Sequence, residues 1–236
     1  MVRAIEERIR TSPSGQMHTG VPVDRIDPVD DGWTVAGDRF GSVIVTTPAA
    51  EAARILTPHC PDAATRLDSI EYSSVAMVLI VLDPGTIDLD PAMSGILVPR
   101  LEGRWVTAVS IASNKWPELA PADQQILRVS VGRRTDTGWQ DLDDAALVSL
   151  VLSDLRDILG LDTPPAHSAV HRWMHALPQY DVDHGTRIDE IEAAVHRDAP
   201  GIELAGAALR GLGLPACVAS GRRAARLARD YILSRA

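Results

Sequence analysis

The fold is decided by residues 203–225, which read Glu203-Leu-Ala-Gly206-Ala-Ala-Leu-Arg-Gly211-Leu-Gly213-Leu-Pro215-Ala-Cys-Val-Ala-Ser220-Gly-Arg-Arg-Ala-Ala225. The pattern predicts a short apolar strand, a glycine-rich turn and the start of a helix. Gly211-x-Gly213-x-x-Ala216 also fits the dinucleotide fingerprint G-x-G-x-x-G/A, which should open a βαβ unit with an acidic residue about 20 positions later. Here the sequence ends 20 residues after Ala216. We therefore expect this segment to be the C-terminal end of a nucleotide-binding domain and not its beginning.

The chemistry of the turn favours an anionic ligand. A helix that begins near Pro215 points free backbone N–H groups and a partial positive charge at the residues before it. Glycines at 211 and 213 allow a ligand to approach the backbone, because no Cβ intervenes. A phosphate would fit, and so would the N1/C2-carbonyl edge of a reduced flavin. The simpler alternative is a glycine-rich connection that caps a core helix, and the motif alone leaves both open.

The rest of the chain predicts an α+β fold. A helix, a β-meander and a second helix come first, followed by an antiparallel sheet with helices on one face, then a strand and a helix that lead into the glycine-rich turn. The expected helices are residues 2–10, 49–56, 143–159 and 186–197, and the expected strands are 21–26, 33–35, 42–46, 72–82, 95–99, 105–111, 126–132 and 169–174.

Composition excludes several classes of protein. The net charge of −9 argues against a nucleic-acid surface, which needs clustered Lys and Arg. The two cysteines, Cys60 and Cys217, lack metal-ligand spacing and favour a reducing, cytoplasmic location. No apolar run reaches the ~18 residues of a membrane span, although a peripheral membrane contact stays open. We expect no metal site.

Two further segments are candidates for ligand contact. His171, Trp173 and His175 alternate at strand spacing, so all three side chains should face one way. A planar cofactor stacked on Trp173 is one interpretation, and a half-buried packing residue is the simpler one. The segment from Pro178 to His184 is polar and follows a strand; it is either a surface loop or a loop over a pocket.

Taken together, the motifs resemble the C-terminal part of oxygen-dependent protoporphyrinogen/coproporphyrinogen oxidase, an FAD-dependent family of the amine-oxidase superfamily. The resemblance runs in order along nearly the whole sequence. It is carried by Val45-Thr-Thr-Pro48-Ala49, Ser94-Gly-x-Leu-Val-Pro99, Lys115-Trp116-Pro117, Arg128-Val-Ser-x-Gly132-Arg133, His171-Arg-Trp173-x-x-Ala-Leu-Pro178-Gln-Tyr180-x-x-x-His184, Pro200-Gly201-x-x-Leu204-Ala-Gly206-Ala and Gly213-x-Pro215-x-Cys217-x-x-Ser220-Gly221-Arg222.

The resemblance implies a domain organisation and a cofactor site. Residues 1–69 would be part of the FAD-binding domain, 70–166 the antiparallel substrate domain, and 167–236 the return to a Rossmann-like FAD domain. The backbone of Val23 would hold the adenine end of FAD. Trp173 and the Leu212-Gly213-Leu214 turn would lie along the flavin, and Gly206 belongs to the same cofactor set.

The implied activity is oxidation of a porphyrinogen to a porphyrin in haem biosynthesis, with O2 reoxidising the flavin. Coproporphyrinogen carries four carboxylates and protoporphyrinogen two, so arginines should line the substrate pocket. Arg100 and Arg133 are the residues we predict for that role. No residue is assigned as an essential acid or base.

The sequence also departs from the family. The family usually has an aromatic residue at the position of Leu209 and glycine at that of Asp183. Its opening G-x-G-x-x-G-G loop, which grips the FAD pyrophosphate, has no counterpart here, so we expect a C-terminal half whose partner could be a separately encoded N-terminal half. The alternatives are a non-catalytic remnant or assembly subunit without FAD, and another flavoenzyme of the superfamily. Exposed strand edges would favour self-association into a homo-oligomer.

Overall fold

The computed structural model describes residues 1–120 and 124–235, and the chain divides into two compact units. Unit 1 comprises Met1–Ile70 and Tyr180–Ala236, and unit 2 comprises Glu71–Gln179. Among the described residues, no helix combines the length and the apolar character needed to cross a membrane. The α+β class predicted from the sequence is confirmed.

The elements follow one another in the order α1 (Val2–Thr11), β1 (Ile26–Val29), β2 (Gly32–Val35), β3 (Asp38–Phe40), β4 (Val43–Val45), α2 (Ala49–Leu56), α3 (Pro61–Asp68), β5 (Tyr72–Leu82), β6 (Gly95–Leu97), β7 (Val106–Ile111), α4 (Ala112–Lys115), β8 (Gln125–Val131), α5 (Asp144–Leu159), β9 (His167–Pro178), α6 (His184–Asp198), β10 (Ile202–Leu204), α7 (Ala207–Arg210) and α8 (Leu214–Leu233). Three short 3-10 helices lie at Arg100–Glu102, Pro117–Leu119 and Gly138–Asp141.

The meander of unit 1 is shifted from its predicted position. Strands β1, β2 and β3 form the antiparallel sheet, whereas the sequence predicted strands at 21–26, 33–35 and 42–46. The last of these is β4, which pairs in parallel with β10 so that Ile44 lies opposite Glu203. The prediction of a meander strand at 42–46 is therefore wrong. The strand finds its partner late in the chain, where no local turn signal points to it.

Small apolar residues let the helices of unit 1 pack closely. Helix α2 buries Ala49, Ala52 and Ala53, and α3 buries Ala63 and Ala64. These residues have no side chain beyond Cβ, so neighbouring helix backbones can approach each other. Larger apolar residues complete the core: Ile26, Trp33, Ile55, Leu56, Leu67, Ile188, Ile191, Val195 and Ile202.

Unit 2 is a five-stranded antiparallel sheet in the order β6-β7-β8-β5-β9. Alternate residues of the strands point to one face, where the apolar side of α5 packs on them. Asp143 caps α5 by accepting a hydrogen bond from the Ala146 N–H at 2.8 Å, and Gly160 ends it in a left-handed conformation. The core consists of Ala76, Val78, Ile80, Leu82, Val106, Val109, Ile111, Leu127, Val129, Val131, Trp139, Leu147, Val151, Leu155 and Leu161.

Strand β9 belongs to unit 2, although the sequence placed residues 167–179 with the return to the FAD domain. It pairs with β5 from Val81↔His167 to Tyr72↔Pro178, and this hydrogen-bond ladder holds it in the sheet. The structural boundary therefore falls after Gln179, and not after residue 166. The pairing is irregular between Ser73 and Val75, opposite His175 with its positive φ of 47°. The predicted alternation of His171, Trp173 and His175 is therefore interrupted before His175.

Candidate functional site

The predicted flavin-facing turn lies in unit 1, between β10 and α8, and is anchored at both ends. At its start, the Ala205 N–H donates to the Val45 carbonyl at 3.0 Å. The Gly206 N–H donates to the Ser220 hydroxyl of α8 at 3.1 Å. Gly206 has a φ of 135°, in the region that side chains rarely adopt. The turn therefore leaves the β4–β10 pair at a fixed position and returns to α8 within a few residues.

Tyr180 and His184 support the turn from within unit 1. The Tyr180 hydroxyl donates to the Ala207 carbonyl at 2.5 Å and accepts from the Gly211 N–H at 2.7 Å. Its ring stacks on the imidazole of His184 with centroids 3.9 Å apart. His184 is buried, and its Nε2 lies 3.1 Å and 3.0 Å from the carbonyls of Ala208 and Leu209. Two carbonyl acceptors make that nitrogen the N–H donor.

The glycines of the turn are required for different reasons. Gly211 has a φ of 145°, and a Cβ there would lie 2.6 Å from the Cβ of Ala216, so the fold itself requires glycine. Gly213 has an ordinary φ of −71°, and its nearest neighbour for a Cβ is Pro215 at 3.7 Å. A Cβ at Gly206 would meet only the Thr46 carbonyl oxygen, at 3.8 Å. Space therefore remains beside Gly206 and Gly213 for a group held against the backbone.

Helix α8 presents its N-terminus at this space. Gly213 is the N-cap residue, Pro215 lies in the first turn, and neither an acidic side chain nor a side-chain cap occupies this end among the described residues. The end therefore retains the partial positive charge of the helix dipole. Leu212 and Leu214 flank Gly213 and are 49% and 67% exposed. Exposed leucines beside open N–H groups suit a ligand with an apolar ring and an electron-rich edge.

An ion-pair cluster fixes α7 and α8 to α6. Glu192 is largely buried and accepts hydrogen bonds from Arg210 at 2.7 Å and from Arg223 at 2.5 Å. Burial alone would raise the pKa of Glu192, but the hydrogen bonds from Arg223 and Arg210 outweigh it and hold that pKa below its ordinary value. Arg210 also pairs with Asp189 at 2.6 Å. Arg223 of α8 therefore has a structural role.

Val23 lies in a different segment of unit 1, on an open cavity of about 540 Å³. Arg54 of α2 holds this segment, because its guanidinium donates to the Asp24 carbonyl at 2.8 Å and to the Val23 carbonyl at 3.4 Å. Asp27, Thr34 and Gly37 line the same cavity. The backbone of Val23 is thus held in place beside a space, and a carbonyl can accept a second hydrogen bond. Its predicted contact with adenine stays a prediction.

The remaining predicted residues lie in unit 2. Trp173 lies on β9 and is 53% exposed. Its ring packs edge-on against that of His171, with the ring centroids 4.5 Å apart. Arg100 is exposed at the start of a 3-10 helix. Arg133 donates to the carbonyls of Arg104 and Val98, both at 3.2 Å, so its guanidinium serves the fold of its own unit.

The structure therefore brings together Gly206, Leu212, Gly213 and Leu214 in a single connection. Sequence reasoning did not assign supporting roles to Tyr180, His184 and Ser220. The segment from Pro178 to His184 was predicted to be a surface or pocket loop. Tyr180 precedes α6, which begins at His184, so no helical spacing rule indicates that the two side chains support the turn.

Comparison with known proteins establishes the family. Residues 1–228 match the family of flavin-containing amine oxidoreductases. The chain belongs to this family. The oxidoreductase class predicted from the sequence is confirmed, and so is FAD as the cofactor of the family.

Within the flavin-containing amine oxidoreductases, the chain is similar to enzymes named for porphyrinogens. It is 30% identical to coproporphyrinogen III oxidase of Bacillus subtilis (strain 168), covering 99% of this chain and 50% of that protein. A crystal structure described as a candidate protoporphyrinogen oxidase from Exiguobacterium sp. 255-15 superposes with a TM-score of 0.80 at 28% identity, over 99% of this chain and 51% of the other. The chain thus spans about half the length of these relatives.

A more distant structure shows the fold alone. Cyclohexylamine oxidase from Brevibacterium oxydans IH-35A superposes with a TM-score of 0.67 at 16% identity, over 89% of this chain and 48% of the other. The predicted resemblance to the porphyrinogen-oxidising branch of the family is confirmed by the relatives named for those substrates.

The structure accommodates Asp183 and Leu209, the two residues that depart from the family pattern. Asp183, where the family usually has glycine, has a left-handed φ of 64° at the N-cap of α6. Aspartate tolerates this conformation better than most residues. Leu209 is buried under the turn, and its carbonyl accepts from His184. With both residues in place, the connection that carries Gly206 and Gly213 keeps its hydrogen bonds to Val45 and Ser220.

Proposed function

We propose that this chain forms the flavin-edge and substrate-binding parts of an FAD-dependent oxidase that converts a porphyrinogen to a porphyrin with O2. The observation that carries the proposal is the open turn at Gly213. The protein's own packing gives no reason for glycine there, whereas a ring system against the N-terminus of α8 would give one. Bound FAD would supply the hydride-accepting chemistry.

The residues of unit 1 would position the cofactor and stabilise its charge. Gly206 and Gly213 would let the ring lie against the backbone, and Leu212 and Leu214 would exclude water from its sides. The first N–H groups of α8 would donate to the edge that becomes electron-rich, in the manner of an oxyanion hole. The hydrogen bonds of Tyr180 keep these donors in place before a ligand binds, which reduces the ordering needed on binding.

Coproporphyrinogen is the substrate that we favour. The relative from Bacillus subtilis carries its name, whereas the solved structure from Exiguobacterium is named for protoporphyrinogen. The two compounds differ in the number of carboxylates. Side-by-side assays with both substrates therefore decide the question.

The test has a binding step and a turnover step. Purified chain is titrated with FAD while flavin fluorescence and visible absorbance are recorded. Oxidation of coproporphyrinogen III is then followed by porphyrin fluorescence and O2 uptake. Because the chain spans about half of its relatives, each step is repeated with an added polypeptide that carries the half of the Bacillus subtilis relative that this chain does not match.

The proposal predicts flavin binding and porphyrin formation in at least one of the two preparations. If neither preparation binds flavin, the alternative of a non-catalytic chain is correct. Flavin binding with oxidation of a simple amine, and none of a porphyrinogen, would instead favour another reaction of the superfamily.

A further inference from the structure

The second face of the sheet in unit 2 carries an open cavity of about 430 Å³. Strand β8 shows the alternation: Leu127, Val129 and Val131 are buried in the core, whereas Arg128 is exposed and Ser130 is half-buried on the opposite face. Cavities of this size are typical of small-molecule sites, about 300–1,000 Å³. Its lining is Met77, Ser94, Gly95, Leu97, Ser110 and Arg128, with neighbouring residues of the same strands.

Arg128 is a cation in the middle strand of the sheet. The register places it opposite Leu79 on β5 and opposite Ser110 on β7, so neither cross-strand neighbour is charged. In the part of the chain that the structure describes, no carboxylate forms an ion pair with Arg128. Other arginines of the same unit do have such partners: Arg104 with Asp157, Arg133 with Asp136, Arg134 with Glu71, Arg156 with Asp162 and Arg172 with Asp144.

A second cation lines the same cavity. Lys115, at the end of α4, is the single lysine of the sequence. Its Nζ lies 5.9 Å from the ring centroid of Trp116, which restrains an otherwise flexible side chain. No Asp or Glu is among the described residues that line the cavity, although the sequence contains 32 acidic residues. The cavity is therefore locally cationic on an acidic protein.

We propose that Arg128 and Lys115 bind two carboxylates of the porphyrinogen, and that the macrocycle packs against the lining residues Met77, Leu97 and Ser130. This inference rests on the proposed function. Arginine can bind a carboxylate with two parallel hydrogen bonds, and lysine supplies a compact point charge. Two cations that form no ion pair within the described residues, beside the apolar side chains of Met77 and Leu97, complement a ligand that has carboxylate arms on an apolar ring.

This assignment differs from the one made on sequence. The guanidinium of Arg133 is used by the carbonyls of Arg104 and Val98, and Arg100 lies outside the cavity lining. Arg128 lies on the lined face with its donors directed away from the core. The two cavity cations are thus better placed than the predicted pair to meet a bound carboxylate.

The test uses coproporphyrin III, the fluorescent tetracarboxylate product, as the probe. The dissociation constant is measured by fluorescence titration for the wild-type chain and for Arg128→Met, Arg128→Lys and Lys115→Met. Arg156→Met is the matched control, because Arg156 is exposed on α5 at the opposite face. Circular dichroism verifies that each variant is folded. The tetramethyl ester of the probe reports binding without carboxylates.

We expect Arg128→Met to weaken binding about tenfold, as for loss of one charge-assisted hydrogen-bonding group. Lys115→Met should weaken it by a smaller factor, Arg128→Lys should restore part of the affinity, and Arg156→Met should change nothing. The ester should not distinguish Arg128→Met from wild type. Wild-type binding that is unaffected by Arg128→Met and Lys115→Met would overturn the inference and leave the proposed function intact.

Two other outcomes separate the inference from the proposed function. If the probe binds with the expected dependence on Arg128 but no preparation oxidises a porphyrinogen, the inference stands and the proposed function fails. If the wild-type chain does not bind the probe in the presence or absence of FAD, the inference is overturned.

Discussion

The Tyr180 hydroxyl accepts a hydrogen bond from the Gly211 N–H at 2.7 Å. This single contact links the first residue after unit 2 to the turn that precedes α8. Gly211 has a φ of 145°, in a region that residues with a side chain rarely adopt. The hydroxyl therefore holds the position on which the geometry of the proposed flavin contact depends.

Replacement of Tyr180 by phenylalanine should destabilise unit 1 by about 0.5–1.5 kcal/mol, because the Gly211 N–H and the Ala207 carbonyl lose their partner while the ring remains. Denaturant unfolding measures the change. Tyr231→Phe is the control, since among the described residues the Tyr231 hydroxyl accepts one hydrogen bond, from Arg235, whereas the Tyr180 hydroxyl makes two. Equal effects of the two substitutions would show that the Tyr180 contact has no special role.

Gly211→Ala should lower the free energy of unfolding by about 1–3 kcal/mol, because the φ of 145° is strained for alanine and its Cβ would lie 2.6 Å from that of Ala216. Gly221→Ala is the matched control within α8. A Cβ there meets nothing within 4 Å, so alanine should stabilise the helix by about 0.5–1 kcal/mol. An unchanged free energy of unfolding in Gly211→Ala would contradict a φ of 145° at Gly211.

Gly213→Thr should leave the free energy of unfolding within about 0.5 kcal/mol of wild type and weaken FAD binding about tenfold or more. Threonine is a suitable N-cap residue, and the backbone at 213 has a φ of −71° that it can adopt. Its side chain would enter the space assigned to the flavin. Quenching of flavin fluorescence measures the affinity, and unchanged FAD binding in this variant would remove the main support for the proposed function.

The Glu192 cluster should make stability depend on pH. The pKa of Glu192 is lowered in the folded chain, so its contribution is present above the unfolded pKa of about 4.3 and is lost as the pH falls through the folded value. Glu192→Gln should therefore destabilise the chain by about 1–3 kcal/mol at neutral pH, and the difference from wild type should shrink under acid. Unfolding curves at several pH values test this, with the exposed Glu51→Gln as control.

The two thiols should react at very different rates. Cys60 is fully buried, and desolvation raises the pKa of its thiol, so little thiolate forms at neutral pH. Cys217 is partly accessible, with its Sγ 3.8 Å from the carbonyl oxygens of Gly211 and Leu212. We expect one rapidly alkylated thiol per native chain, about tenfold or more faster than the second, and none in Cys217→Ser. Rapid labelling of Cys60 in that variant would contradict its burial.

The elements that the sequence predicts well are those with local signals. Strand β5 is a long and largely apolar run that is rich in β-branched residues, and helix α5 has its cap at Asp143 and its stop at Gly160. Strand β4 was predicted close to its observed position but was assigned to the wrong sheet, because its partner β10 lies far along the chain. The helix at Pro61–Asp68 was missed, since its buried face consists largely of alanines and gives little periodic contrast.

The residues of the candidate sites likewise fall into two groups: those with a local sequence signal and those whose role depends on tertiary contacts. Glycines reveal a turn, so Gly206 and Gly213 could be selected from the sequence. The choice between Arg128 and Arg133 as the residue that binds a substrate carboxylate could not be made from the sequence. It depends on which guanidinium already has hydrogen-bond partners within the fold. Only the structure shows that Arg133 binds the carbonyls of Arg104 and Val98. Likewise, the support given by Tyr180 to Gly211 joins residues whose contact no spacing rule predicts.

The way the chain enters and leaves unit 2 has a consequence for its synthesis. The two ends meet where the Gln179 N–H donates to the Glu71 carbonyl at 2.8 Å, so this unit is an insertion that closes on itself. All of its strands are synthesised before β10, the partner of β4. We expect the insertion to fold first and its host last. Truncated chains that end before Ile202 and have been released from the ribosome should resist protease within residues 71–179 and remain cleavable near β4.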